Sequence, residues 1–441
     1  MSIKKLWKGN RAWLFIGLLF LIVLPLSFNS CASEYGKPST TETPTALISA
    51  DTLKAWIDAG KVNGTGYDRV VILDVTAQAT YDAGHIPGAY YVSTSDTSQS
   101  RNEGVAMLST EVLEGSKMDA LVQKYGIDGN TTIVFTGTPS AGPGTGFIAR
   151  AYFLFRYWGF PKNRLKMLDG GNLGWTAAGY SPTNMTQSLP VPSTFSVRNN
   201  LRLRTDLRIS LPEMIEYSEG HVPNALAIEG RAAGTTTTGV YSPPAGTDYV
   251  VFEGQINGAQ VVTFSTLYDA GYKYLPTDQL IAAFTAVGLD SSKSAYVYCR
   301  IGVQGAVVFF VLDGILGWPA TFYDGSWSQW GQLSGDAANK GQLTANSPWR
   351  TDIPSRSSNI TYNWIFPRAI EQFTADGSVC SATYNIGGTI TNSSGGTTAC
   401  TNLPDSYDAN ANRIEEADKA YMNSGSSGGS SGGGGSIPSG C

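Results

Sequence analysis

Short apolar runs bounded by turns alternate with longer amphipathic segments along most of this chain. Val70-Val71-Ile72-Leu73-Asp74-Val75 reads as a buried strand, as does the apolar run Thr132-Ile133-Val134-Phe135. The alternation returns further along. Tyr296-Val297-Tyr298 reads as an apolar strand, and the residues after Gly305 as an apolar helix. Strands alternating with helices predict an α/β fold, a central mainly parallel sheet with helices on both faces. The pattern occurs twice, so two such domains are expected.

Cys299 stands where the second apolar strand stops and the helix pattern begins, in Tyr298-Cys299-Arg300-Ile301-Gly302-Val303-Gln304-Gly305. Two readings of the thiol follow. Cys is a small apolar residue that cores often bury. Alternatively, the short glycine-containing turn aims successive N–H groups at the sulfur and stabilises a thiolate or persulfide.

The flanks bear on that choice. The run from Tyr298 to Gly331 resembles the catalytic-loop region of rhodaneses, in particular the second domain of tandem thiosulfate sulfurtransferases. Gly254-Gln255-Ile256-Asn257-Gly258-Ala259 resembles a worn GHIPGA turn of that family, and Asp206-Leu207-Arg208 its strand-end D-x-R. The earlier copy holds an intact Gly84-His85-Ile86-Pro87-Gly88-Ala89 and Leu168-Asp169-Gly170-Gly171, but has Thr136-Gly137-Thr138-Pro139-Ser140 where the nucleophile belongs. The resemblance thus implies two rhodanese-like domains, 46–181 without a catalytic Cys and 201–342 with it, joined by a linker at 182–200. The first domain is expected to close one side of the cleft.

The same resemblance implies sulfur transfer through a Cys299 persulfide, with Arg300, Ile301, Gly302, Val303, Gln304 and Gly305 binding an anionic donor such as thiosulfate. A thiol or cyanide would accept the sulfur, and no metal or organic cofactor is needed. Arg208, Asp324 and Trp327 are candidate cleft residues. Val303 and Gln304 replace a charged pair of the family, which leaves fewer cations for thiosulfate. The alternative is an envelope scaffold or sulfur sensor, associated with an outer-membrane electron-transfer complex through its tail, with little turnover.

Other chemistry is disfavoured. The chain has two histidines, both in turns apart from the thiol, so a Cys/His hydrolase lacks its base. No ligand spacing suits zinc. A cysteine phosphatase needs an Arg six residues after its nucleophile, and here that position is Gly305. A net charge of −5 without a basic stripe argues against nucleic acid.

The termini suggest a compartment. Lys4, Lys5, Lys8 and Arg11, then the apolar Trp13 to Leu26, then Ser30-Cys31-Ala32 resemble a lipoprotein signal peptide over 1–30, with Cys31 lipidated and 31–45 a tether. The expected location is the cell envelope, exported and lipid-anchored. The extension 343–441 ends in a Gly/Ser-rich tail; Cys380 and Cys400 are candidates for a disulfide there. Asp408, Asn410 and Asn412 partly match a calcium loop that lacks its central Gly, and a polar helix cap is the other reading.

Overall fold

The computed structural model describes residues 45–103, 107–140, 144–232, 254–331, 368–373, 379–384, 390–392 and 412–424. Cys31, Cys400, Asp408 and Asn410, and the side chain of Cys380, lie outside the described residues.

Two five-stranded parallel sheets account for the duplicated pattern. The first has strand order β1-β7-β6-β2-β3, from β1 (Leu47–Ile48), β2 (Val70–Val75), β3 (Ala89–Val92), β6 (Thr132–Thr136) and β7 (Leu165–Leu168). The second has order β10-β9-β11-β12-β8, from β8 (Arg208–Ile209), β9 (Ala225–Glu229), β10 (Gln260–Val261), β11 (Ser294–Tyr298) and β12 (Ala320–Tyr323). Strands β2, β6 and β11 lie inside their sheets, and runs such as Val70–Val75 are buried on both faces, as a parallel sheet covered by helices requires. The α/β expectation is borne out.

A two-stranded antiparallel hairpin, β4 (Gln99–Asn102) and β5 (Met107–Glu111), projects from the first domain. It reaches the second sheet at Arg208 and Asp324.

The helices that follow the two loops pack on each other. Helix α4 (Gly144–Tyr157) meets α9 (Gly305–Phe309), which widens into π turns over Phe310–Leu316. Phe153 stands edge-on to Phe309 at 5.2 Å and to Phe322 at 4.9 Å, and Tyr152 edge-on to Phe310 at 4.9 Å. These edge-to-face contacts add to the apolar burial. Asp313 is clamped in the same seam by Tyr152 Oη at 2.6 Å and Arg156 Nε at 3.0 Å.

Part of the extension folds back. Arg413–Asn423, here helix α10, buries Ile414 and places Asp418 on Arg101 of β4 at 2.8 Å. Tyr157 Oη also donates to Asp418 at 2.9 Å, and Tyr421 stacks edge-on against Trp158 at 6.2 Å. Asn412 precedes this helix, its carbonyl accepting the Glu416 N–H, so the described end of the calcium-like stretch serves as a helix start.

Candidate active site

Cys299 follows directly on β11, a central strand, and is 1% exposed. Its N–H donates to Ser326 Oγ at 3.2 Å, and Ser326 Oγ donates to the Tyr323 carbonyl at 2.9 Å. Ser326 holds φ +51°, a left-handed conformation uncommon for a residue with a side chain. The Trp327 N–H donates to the Cys299 carbonyl at 3.0 Å and the Ser328 N–H to the Arg300 carbonyl at 2.8 Å. The segment after β12 therefore braces the backbone of Cys299 and Arg300.

The loop turns at Gly302, where φ is +77°. A Cβ there would lie 2.6 Å from the Asp324 carbonyl oxygen, so only glycine allows this approach. Among the described residues, the N–H groups of Ile301, Gly302, Val303 and Gln304 have no protein acceptor. Such unspent donors beside a thiol suit an anion.

Asp324, a sequence candidate for the cleft, lies instead beneath the loop, fully buried. Arg150 Nη1 bonds its Oδ1 at 2.6 Å, and Arg208 Nε lies 3.5 Å from its Oδ2. Burial pushes this carboxyl up, yet Arg150, with Glu111 and Arg208, holds it below the ordinary value. Trp327 is buried as well and carries the Arg231 guanidinium 5.7 Å over its ring.

Arg208 requires a correction. It is neither a cleft residue nor the end of the family's strand-end motif. It opens an edge strand and is enclosed by carboxylates, with Glu103 Oε2 at 2.5 Å and Glu111 Oε2 at 3.0 Å, both from the first-domain hairpin. The strand-end position belongs to Glu229-Gly230-Arg231. Tyr298 pairs with Glu229 as Thr136 pairs with Asp74 in the first sheet, so Cys299 and Gly137 are equivalent. Arg231 Nη2 holds Glu229 Oε2 at 2.7 Å. The alternation of β9 is short and follows a His-Val-Pro-Asn turn, which hid this strand from a reading by periodicity.

The turn at 254–259 is where the resemblance put it, just ahead of β10, with the Ile256 N–H donating to Tyr298 Oη at 3.0 Å. His85 is buried in its own turn, stacked on Tyr81 at 3.7 Å, and His221 is exposed beside Glu216. Each histidine thus keeps a local partner within its own turn.

Residues 49–178 match the family model described as Rhodanese-like domain. That stretch is a rhodanese-like domain. A Haloferax volcanii protein provisionally named thiosulfate sulfurtransferase is 26% identical over 296 residues, 67% of this chain and 96% of that protein. The Thermus thermophilus sulfur carrier protein TtuD is 26% identical over 305 residues, 68% of this chain and 98% of its own length. Among solved structures, an anaerobic ergothioneine biosynthesis enzyme from Chlorobium limicola superposes with a TM-score of 0.55 at 19% identity, covering 65% of this chain and 68% of that one. That last likeness concerns the fold. The rhodanese-like match and the sulfurtransferase relatives support sulfur transfer as the chemistry of this chain.

Proposed function

We propose that this rhodanese-like protein takes the sulfane sulfur of thiosulfate onto Cys299 and passes it to a thiophilic acceptor. The observation that carries the reading is the loop itself: a cysteine at the end of a central strand, followed by four backbone N–H groups with no protein acceptor among the described residues. The thiolate attacks the outer sulfur of thiosulfate. A sulfur–sulfur bond forms to Cys299, the one inside thiosulfate breaks, and sulfite leaves with the electron pair. Cyanide or a thiolate then attacks the outer sulfur of the persulfide and regenerates the Cys299 thiolate, with no net redox change. The loop amides hold the anionic sulfur through both steps.

Incubation with thiosulfate should add one sulfur atom to the Cys299 peptide by mass spectrometry and release thiocyanate with cyanide; Cys299→Ser should do neither. An unmodified Cys299 after thiosulfate treatment would overturn the reading.

The cell envelope is the proposed location, on the strength of the basic, apolar and Cys31 sequence order. Fatty-acid labelling that persists in Cys31→Ala would remove the anchor.

A further inference from the structure

The first domain lacks a nucleophile, yet its side chains grip the loop that carries one. Thr110 Oγ1, from β5, donates to the Ile301 carbonyl. Arg150 Nη1, from α4, donates to the Gly302 carbonyl at 2.7 Å and to Asp324 at 2.6 Å. The Val112 N–H, just beyond β5, donates to the other oxygen of Asp324 at 3.1 Å. Gly146, one turn before Arg150, brings the helix against Val303, since a Cβ there would lie 2.7 Å from Val303 Cγ1.

A trans peptide is planar, with its C=O and N–H on opposite sides. Fixing the Ile301 carbonyl therefore fixes the Gly302 N–H, and fixing the Gly302 carbonyl fixes the Val303 N–H. Both N–H groups are turned from the first domain.

Arg150 is 1% exposed, and its Nε and Nη2 have no hydrogen-bond partner among the described residues. Burying a guanidinium with two unspent donors is costly. Arg156, two turns along the same helix, spends its Nε and Nη2 on Asp313. The geometry of Arg150 serves the loop carbonyl at the expense of its own hydrogen bonding.

We propose that Thr110 and Arg150 are positioning residues that act across the domain boundary to orient the Gly302 and Val303 amides around the Cys299 sulfur. The inference rests on the sulfur-transfer reading of that cysteine. A nucleophile-free domain thereby acts as the template for its partner's cradle.

The test uses the full chain and follows single-turnover sulfuration of Cys299 by thiosulfate, beside hydrogen exchange of the peptide spanning 299–305. Thr110→Val and Arg150→Met should each slow sulfuration about tenfold or more, the scale on which displaced reacting groups lose rate. Arg150→Lys, which keeps a cationic donor, should recover most of that loss. Exchange should rise in the loop peptide and stay unchanged in the sheet peptides. Arg156→Met breaks a buried pair in the same seam without touching the loop, and it should sulfurate at the wild-type rate. Equal losses in Arg156→Met, or wild-type rates in Thr110→Val and Arg150→Met, would overturn the proposal. Should wild type take up no sulfur, the transfer reading fails by itself and the exchange measurement still decides the positioning: unchanged loop exchange in both variants would refute it.

Discussion

Tyr298 and Glu229 face each other in parallel register, the relationship that Thr136 and Asp74 hold in the other sheet. One residue beyond Tyr298 is Cys299; two beyond Glu229 is Arg231, whose guanidinium Glu229 neutralises. The pair sits at the carboxyl ends of adjacent central strands, where α/β sheets place their ligands. The cation and the thiol share that rim.

Arg231→Met should destabilise the protein by about 3–5 kcal/mol, because it leaves the fully enclosed Glu229 side chain without its guanidinium partner. The double variant Arg231→Met/Glu229→Leu should recover much of that loss, since an apolar pair replaces a lone buried carboxyl. Urea unfolding of the three proteins checks it; equal midpoints for single and double variants would contradict the account.

Much of this was legible along the chain. Cys299, its Gly302 turn and the following helix lie within one continuous segment, and the duplicated strand–helix order gave away two parallel sheets. Local signals of that kind depend on residues a few positions apart. The contacts of Arg150 with Gly302 and of Arg208 with Glu103 join residues far apart in sequence, and an Arg within an apolar helix carries no periodicity that announces its partner. The docking of helix α10 was not legible for a related reason: it depends on Tyr421 meeting Trp158 and on Asp418 meeting Arg101. Arg231 was hidden differently, by assignment of the strand end to an earlier Asp-Leu-Arg.

The docked helix makes its own prediction. Arg101 and Asp418 are almost wholly buried, so Asp418→Ala should cost about 3–5 kcal/mol by stranding the guanidinium. Limited proteolysis should then cut at or before Arg413 while both sheets survive. Resistance equal to wild type would mean that the ion pair does not hold the helix.

The empty first-domain position is sterically closed as well as chemically void. A Cβ on Gly137 would lie 2.5 Å from the Val75 carbonyl oxygen. Gly137→Cys in a Cys299→Ser background should lower the melting temperature and acquire no persulfide from thiosulfate. Sulfur found on residue 137 would show that the first loop still forms a cradle.

Stability should fall with rising pH near neutrality because of the carboxylates around Arg208. Burial pushes Glu103 up to about 7 against the pull of Arg208, and burial together with Asp324 takes Glu111 well above its ordinary value. A carboxyl with a higher pKa folded than unfolded binds more protons in the folded state. Its contribution is therefore full below the unfolded value of 4.5 and is lost as pH rises through about 7. Asp324 is shifted downward, so its own contribution persists above 3.8 and is lost only in stronger acid, outside this window. Each such proton changes the unfolding free energy by at most about 1.4 kcal/mol per pH unit. Asp74, pushed up by burial to about 6, acts in the same sense and belongs to both proteins in a comparison of wild type with Glu103→Gln. The variant should show a shallower decline in unfolding free energy between pH 5 and about 8, because it has lost one titrating group while Asp74 and Glu111 remain. Parallel curves across that range would mean that Glu103 keeps the same protonation in the folded and unfolded chain.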